Sequence, residues 1–375
     1  MAKGRRSKRR RCPASSLTDD LVVEILSRLP ARSVCRFKCV SATWRDLISH
    51  AVHRMKLPQT LAGFFTMHDG EMWSVPHFTN VSGTGPPLVS DSIDFLPIHK
   101  RTFILDSCNS LLLYKCSPIL DMTDSHYFVC NPTTKEWAAL PDSNLGHKGR
   151  ALCLGFDPAV SSHFYVYEFF EDYVCFPQSV PSVRGVEVYS SETGERVHRE
   201  DNAIIPLGYR SPSVFLNGCL HYLTYNDPAI AVLDTQGKPC RSIPVPDNED
   251  YGFIQQSQGR LHYANFEADD EDKLTRLVVY VLEDHESQRW KLKHTAEASS
   301  VLDYTRSYLV REDFEWVAIH PDCNTIFYTV EPDKTLMSYD MDCQQVQVIC
   351  TLGADTREKY FPYVPLFSEL QALHI

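Results

Sequence analysis

The 375-residue sequence has no run of about 18 apolar residues, which argues against a membrane-spanning helix. Nor does an apolar segment follow the basic start of the chain, so no secretory signal is expected. The Gly-x-Ser-x-Gly motif of a nucleophile elbow is missing, and Gly83-Thr84-Gly85 lacks the Gly-Lys-Ser/Thr that completes a phosphate-binding loop. We therefore predict no catalytic residues and no cofactor, and we expect a loop at 83–85.

Cysteine is plentiful but is not arranged for zinc. The 13 cysteines are an odd number, and the closest spacings, Cys35-x3-Cys39 and Cys343-x6-Cys350, have no second pair. Free cysteine usually behaves as a small buried hydrophobe in a reduced intracellular protein. The acidic run 269–272 lacks the alternating ligands and central glycine of a calcium loop, and a solvated hairpin tip is favoured there. No metal site is predicted.

Charge is unevenly distributed along the chain. The formal net charge is -11, yet residues 1–11 contain seven basic side chains and no acidic one. The rest of the chain has 30 basic against 48 acidic residues, and such an acidic body would repel a phosphate backbone. Nucleic acid is therefore not expected as the main ligand.

Residues 1–14 predict a disordered basic tail, because they are too charged and too poor in apolar groups to fold. Two interpretations stay open. The tail is either a nuclear import signal or nonspecific binding site for polyanions, or it is a solvated segment without such a role. The expected location is the nucleus, the cytoplasm or both. The import candidates are Lys3, Arg5, Arg6, Lys8, Arg9, Arg10 and Arg11.

Residues 15–56 predict a small domain of three short helices. Thr18 suits the N-cap of the first helix, and Pro30 ends it. Its broad apolar face comprises Leu21, Val22, Ile25, Leu26 and Leu29. The second helix is expected over Ala31–Cys39. Ser41 should cap the third, which residues 50–56 would extend. Its inward residues are predicted to be Val40, Trp44, Leu47 and Ile48.

Three helices of this size have more apolar residues than one small core can bury. Domains below about 40 residues usually need outside support, and a surplus of apolar surface indicates a partner. The alternative is that these helices pack on the downstream domain. The helical pattern alone does not separate the two.

The stretch from Ser16 to Ser49 resembles the F-box of plant F-box proteins. Its first half reads L-x-D-D-L-V-x-E-I-L-x-R-L-P and its second S-V-x-R-F-K-C-V-S-x-x-W-R-x-L-I, with Thr18 where many F-boxes have proline. The resemblance implies binding to a Skp adaptor, which tethers the protein to a cullin-based ubiquitin ligase. The adaptor-facing residues it implies are Leu17, Leu21, Ile25, Leu29, Pro30, Val34 and Phe37.

Residues 60–375 repeat two short units with strand character. One is an apolar segment around a Gly or Asn turn, beginning at Asp106, Val214, Gln256 and His320. The other is an alternating strand that ends in a polar turn, beginning at Tyr127, Val186, Ile230, Leu277 and Leu336. Steps of 44 to 59 residues suit propeller blades and predict six or seven of them. The unit at Val186 lacks an evident first half, and the first two blades are not traceable in 61–104.

The segment that begins at Asp106, DSCNSLLLY, and the later CNPTTKEWAALP resemble the F-box-associated domain of plant F-box proteins, a kelch-like propeller. The Gly-Gly doublet of true kelch repeats is missing. The predicted fold class is mainly β: a three-helix F-box followed by a β-propeller-like domain. A β-sandwich or two smaller β-domains fit the same strand pattern.

Together these patterns predict a non-catalytic adaptor. Its F-box would bind a Skp protein and its β-domain an unknown target protein, for ubiquitination and degradation. Two alternatives stay open: a glycan-binding, lectin-like propeller, and a nuclear regulatory protein acting through its tail. The aromatic clusters at 164–176 and at Tyr304, Arg306 and Tyr308 suit a binding surface, although blade core is the favoured interpretation.

Overall fold

The chain divides into two compact units, Met1–Thr60 and Leu61–Ile375. The computed structural model describes residues 17–29, 31–50, 53, 56, 57, 60–69, 74–97, 101–117, 125–143, 150–172, 182–200, 213–224, 228–246, 252–269, 273–302, 313–351, 359–367 and 369–373. Among these residues, no helix has the length and apolar character needed to cross a membrane.

The first unit contains the three predicted helices, α1 (Asp19–Ser27), α2 (Ala31–Phe37) and α3 (Ala42–Ser49). Thr18 precedes α1 in an extended conformation, as an N-cap does, although its side chain makes no capping hydrogen bond. Ser41 caps α3 as predicted, because its Oγ accepts a hydrogen bond of 3.1 Å from the Trp44 amide. We predicted that α3 continues into residues 50–56, but the helix ends at Ser49 because the backbone of His50 has a β conformation.

A small apolar core holds the three helices together. Its buried members are Val22, Val23, Leu26, Val34, Leu47, Ile48 and Leu57. The rings of Phe37 and Trp44 pack beside it with centroids 5.3 Å apart. Val40 was predicted to face inward, but it is exposed because it lies in the turn between α2 and α3.

The second unit consists of six antiparallel sheets, which are the blades of a β-propeller. Blade 1 contains β1 (Gly63–Asp69), β2 (Ser74–Asn80) and the distant β23 (Phe361–Tyr363). Blade 2 contains β3 (Thr102–Cys108), β4 (Leu111–Cys116), β5 (His126–Asn131) and β6 (Glu136–Ala139). Blade 3 contains β7 (Arg150–Phe156), β8 (Phe164–Asp172), β9 (Ser182–Ser190) and β10 (Glu195–Glu200).

The remaining three blades follow in chain order. Blade 4 contains β11 (Val214–Leu216), β12 (Cys219–Leu223), β13 (Ala229–Leu233) and β14 (Pro239–Pro244). Blade 5 contains β15 (Phe253–Ser257), β16 (Arg260–Ala268), β17 (Leu274–Asp284) and β18 (Arg289–Glu297). Blade 6 contains β19 (Phe314–Ile319), β20 (Thr325–Val330), β21 (Thr335–Asp340) and β22 (Gln345–Thr351). The described residues also form a one-turn helix α4 (Ala298–Val301) and a 3-10 helix (Gln371–Leu373).

The first strands of the blades form a closed ring. Each contacts the next in the order β3, β7, β11, β15, β19, and β23 contacts both β19 and β3. The ring confirms the propeller and sets the number of blades at six. It also excludes the sandwich and the pair of smaller β-domains.

The two predicted repeat units correspond to the two halves of a blade. The first unit spans the first and second strands, and its turn residue has a left-handed backbone, as at Asn109, Asn217 and Gln258, each with φ of 53°. The second unit spans the third and fourth strands. The missing first half before Val186 is supplied by β7 and β8. A fully buried tyrosine marks each first unit: Tyr114, Tyr222, Tyr263 and Tyr328.

The sequence predicted the first two blades within residues 61–104, and this prediction is wrong. The described residues of that range form β1 and β2, the two outer strands of blade 1, and the beginning of β3 in blade 2. The inner strand of blade 1 is β23, in which Tyr363 lies opposite Gly63. After β2 the chain forms a loop held by Asn80, whose Nδ2 donates to the carbonyls of Thr84 (3.0 Å) and Pro86 (2.9 Å). This confirms the loop predicted at 83–85.

Candidate functional site

One side of α1 carries an exposed apolar stripe. Leu17, Leu21 and Ile25 are 43%, 52% and 50% exposed, and they recur every four residues. Residues four apart lie on the same face of a helix, so Leu21 and Ile25 share one face of α1, and Leu17 lies just before the N-cap Thr18. These three exposed side chains are the stripe. The opposite side of α1 buries Val22 and Leu26 in the small core.

The small size of the core explains why the side chains of this stripe are exposed. Because Val22, Val23 and Leu26 fill the inner side of α1, the neighbouring row has no core to enter. The sequence pattern combined both rows into one broad face. Exposed Glu24 of α1 also pairs with exposed Arg28, the residue that follows the helix, at 2.6 Å. The unit therefore presents apolar side chains close to charged ones.

The other residues implied to face the adaptor divide into three groups. Leu29 and Phe37 are half-buried and pack against the small core. The prediction that Val34 lies on the exposed surface is wrong, because Val34 is 2% exposed and lies within that core, on the inner side of α2. Pro30 and the basic tail at residues 3–11 lie outside the described residues.

The aromatic cluster at 164–176 is mostly blade core where it is described, although Tyr165 and Phe170 are half-buried. Phe164, Tyr167 and Phe169 in β8 are fully buried. Residues 173–176 and the Tyr304–Tyr308 segment lie outside the described residues. Of the acidic run, only Asp269 is described. Its carboxylate accepts a hydrogen bond of 3.0 Å from the Lys273 amide, and its own amide donates to the Lys273 carbonyl, also at 3.0 Å.

A buried ion cluster connects blades 2 and 3. The Arg196 Nη1 atom lies 2.8 Å from Glu168 Oε2 and 3.0 Å from Glu187 Oε1. Its Nη2 donates to the Pro141 carbonyl, just after β6, at 2.7 Å. All three charged side chains are at most 11% exposed. A cation that is shared by two carboxylates and a backbone carbonyl stabilises packing and has no access to a substrate.

Asp106 in β3 connects its own strand to β7 and to Ser213, the residue before β11. Its carboxylate accepts hydrogen bonds from the amides of Ser107 and Leu154, at 2.8 and 2.7 Å, and from Ser213 Oγ at 3.4 Å. Burial raises its pKa to about 6 against the effect of these bonds. The nearby Cys108 thiol has its pKa raised to about 12, chiefly by burial, and stays protonated at neutral pH. The pair therefore does not provide an activated nucleophile.

Side chains that would suit metal or sugar binding are not grouped in the described part of the chain. No cluster of three or more His, Cys, Asp or Glu able to hold a metal ion occurs there. Trp44, Trp137, Trp290 and Trp316 are each half-buried against apolar clusters. The exposed tryptophan rings that would favour a lectin are thus not present among the described residues.

Sequence reasoning missed a polar cleft of about 450 Å³ on blade 5. Its lining includes Arg260, His262, Glu283, Lys291 and Lys293. The available signal was the alternation of basic residues in Arg289-x-Lys291-x-Lys293, which places basic side chains on one face of a strand. We use this stretch above only to predict a strand with a polar turn.

Comparison with protein families agrees with both units. A family model described as "F-box domain" matches residues 14–52. A second, "F-box protein At3g26010-like, beta-propeller", matches residues 91–362, which is more than half of the chain. The chain belongs to this F-box protein family. The F-box match contains α1, α2, α3 and the exposed stripe, and the propeller match runs from before blade 2 into the closing strand.

Known F-box proteins of Arabidopsis thaliana are similar over most of the chain. "F-box protein At5g07610" is 28% identical over 74% of this chain and 70% of its own length. "F-box protein At1g30790" is 25% identical over 81% of this chain and 82% of its own length. "Putative F-box/kelch-repeat protein At4g22430" is 25% identical over 93% of this chain and 86% of its own length.

Proposed function

We propose that this F-box protein is the target-recognition subunit of a Skp–cullin–F-box ubiquitin ligase. Its F-box binds the Skp adaptor, and its propeller holds a target protein for ubiquitination and degradation. The observation that carries the proposal is the exposed stripe of Leu17, Leu21 and Ile25, which lies within the matched F-box. The chain itself is non-catalytic and acts by holding the target at high effective concentration near the loaded conjugating enzyme.

The size of the stripe suits a docking contact. Fully burying a leucine or isoleucine side chain contributes about 1.5–3 kcal/mol, so three half-exposed side chains offer roughly 1 kcal/mol each. A few such anchors close together provide most of the binding energy in many interfaces. Leu29 and Phe37 are less suitable for a test, because they also stabilise the helical unit.

The decisive experiment is capture of a purified Skp adaptor by the full chain carrying Leu21→Asp and Ile25→Asp. We expect wild type to retain the adaptor and the double variant to lose it, because two carboxylates would have to be buried in an apolar contact. A helical circular-dichroism signal equal to wild type would establish that the variant is folded.

The matched control is Val160→Asp, which places the same charge at an apolar side chain in the turn between β7 and β8 that is 79% exposed. This variant should capture the adaptor as wild type does. Retained capture by the stripe variant, or no capture by wild type, would reject the proposed docking face.

We also propose that the basic tail directs the protein to the nucleus, with the remainder in the cytoplasm. The support is the cluster of seven basic residues within residues 1–11. A fluorescent fusion lacking residues 1–11 should shift towards the cytoplasm. An unchanged distribution would contradict this part of the proposal.

A further inference from the structure

The cleft on blade 5 is positively charged in a chain that is negative overall. Arg260, Lys291 and Lys293 line it together with a single carboxylate, Glu283. Glu283 is shared by two cations, at 3.3 Å from Lys291 Nζ and 3.1 Å from Arg289 Nη2. Among the described residues, no carboxylate pairs with the Arg260 guanidinium. The lining therefore favours an anion.

A buried histidine holds one of these cations in place. His262 is 1% exposed, and its Nδ1 lies 3.1 Å from the carbonyl oxygen of Arg260, an atom that can only accept a hydrogen bond. Its Nε2 therefore has a free lone pair, which accepts from Lys293 Nζ at 2.9 Å. Burial, followed by the charge of Lys293, lowers the pKa of His262 to about 4, so the ring is neutral at neutral pH. His262 is a positioning residue for Lys293.

The neighbouring blades lack this arrangement at the same place in the repeat. In blade 4 the equivalent His221 also contacts a backbone carbonyl, that of Cys219, through Nδ1 at 3.1 Å. Its ring, however, lies beside the His285 ring with centroids 5.8 Å apart. Blade 6 has the buried Phe327 there. The histidine–lysine pair is therefore a property of blade 5 and not a general requirement of the repeat.

The surface next to these cations is partly apolar. Val281 lies opposite both His262 and Lys291 in the sheet, and the half-exposed Leu292 also lines the cleft. A volume of about 450 Å³ accommodates a few side chains of an extended segment. Apolar and cationic groups together suit a peptide with an acidic side chain next to an apolar one.

We propose that the blade 5 cleft binds an acidic segment of the target protein, whose carboxylate or phosphoryl group contacts Arg260 and Lys293. This inference rests on the proposed function, because it assigns the target-binding role of the propeller to one place. Guanidinium and ammonium groups form charge-assisted hydrogen bonds with both kinds of anion.

The test measures fluorescence anisotropy of labelled peptides with the full chain at low ionic strength. The probes are a short polyglutamate peptide, a phosphoserine peptide of similar charge and a neutral polyglutamine peptide. Wild type should bind one or both acidic probes, should bind the neutral one at least tenfold more weakly, and should release the acidic probes as salt is added. Tighter binding of phosphoserine would assign a phosphoryl group, and equal or tighter binding of polyglutamate a carboxylate.

The variant is Arg260→Gln with Lys293→Gln, and it should weaken acidic binding at least tenfold. The matched control is Arg276→Gln, which removes an exposed arginine of β17 and should change affinity less than twofold. His262→Leu should weaken binding through loss of the Lys293 contact, whereas His262→Gln, which keeps an acceptor, should retain most of it. No binding of either acidic probe by wild type, equal binding by the double variant, or equal displacement by a single-stranded oligonucleotide would overturn the inference.

Capture of the Skp adaptor separates this inference from the proposed function. The cleft variant should capture the adaptor as wild type does, and the stripe variant should still bind the acidic probe. Loss of adaptor capture by wild type would remove the ligase role while leaving the cleft measurable. Loss of acidic binding alone would remove only the cleft.

Discussion

Replacing Arg196 by alanine tests the buried ion cluster between blades 2 and 3. Glu168 and Glu187 lie directly opposite each other on β8 and β9, and their side chains are 2% and 3% exposed. Like charges opposite each other in a sheet are destabilising, and the Arg196 guanidinium is the cation between them. Without it, two buried carboxylates would lose the cation that they share.

The expected loss in the free energy of unfolding is about 3–5 kcal/mol, the usual cost of removing one partner from a buried ion pair. The Pro141 carbonyl would also lose the donors Nε and Nη2, at 3.2 and 2.7 Å, which adds to the cost. In equilibrium urea unfolding, this corresponds to a midpoint lower by about 1 M or more.

Arg276→Ala is the matched comparison for Arg196→Ala. Arg276 also pairs with a glutamate, Glu267, at 2.7 Å, but the two side chains are 50% and 37% exposed. Exposed pairs contribute little because water already solvates both charges, so the midpoint should stay near that of wild type. Equal effects of the two substitutions would refute the reasoning from burial.

A second substitution distinguishes charge from packing. In the Arg196→Ala background, Glu187→Gln removes one of the two facing carboxylates and should restore part of the lost stability. No recovery would mean that Arg196 acts through the packing of its aliphatic stem, and not through its charge.

Further predictions concern pH, ring closure and a tight strand contact. Burial, with His285 as the next cause, lowers the pKa of His221 to about 4. Below about pH 6.5, His221 therefore binds a proton in the unfolded chain but stays neutral in the folded chain. The free energy of unfolding should fall by up to about 3 kcal/mol towards pH 4. His221→Phe, the residue type of blade 6, should flatten that dependence in urea titrations at several pH values, and an unchanged slope would contradict it. Tyr363→Phe removes the hydroxyl that links the closing strand to blade 2 and should cost about 1–3 kcal/mol, measured as a lower urea midpoint. Gly63→Ala places a Cβ 2.0 Å from the Thr79 carbonyl oxygen and should cost at least about 2 kcal/mol. Gly85→Ala, where nothing lies within 4 Å but φ is +83°, should cost only about 1 kcal/mol, and a reversed order in thermal unfolding would refute the steric argument.

The helical unit was predictable in its elements but not in every side chain. Thr18 and Ser41 marked the helix starts, since capping is a local property of sequence. The division between core and surface failed at Val34, because a helix of seven residues allows more than one apolar face, and at Val40, because that residue lies in the turn between α2 and α3. Which face is buried depends on how the three helices pack together, and a periodic pattern does not contain that information.

The blades were predictable wherever a local turn joined their strands. Asn217 with Gly218, and Gln258 with Gly259, supply the left-handed backbone that these hairpins need. Blade 3 was only half visible, because β7 and β8 are joined by the longer segment 157–163 without a glycine or asparagine. Hairpins with short turns leave a strong signal in sequence, and longer connections leave a weak one.

Blade 1 could not be found locally, because its strands come from both ends of the unit. Phe65 in β1 lies opposite Phe361 in β23, almost 300 residues later. No short turn joins two strands that are so far apart in sequence. The loop-closure entropy lost when β1 and β23 pair is compensated only when the other five blades already bring the two ends of the unit together. The contacts of Tyr363 with Asn131 and Thr133 then attach the closing strand to blade 2 as well as to β1. It follows that the closing strand contributes to two blades, so that its loss should weaken blade 2 in addition to blade 1.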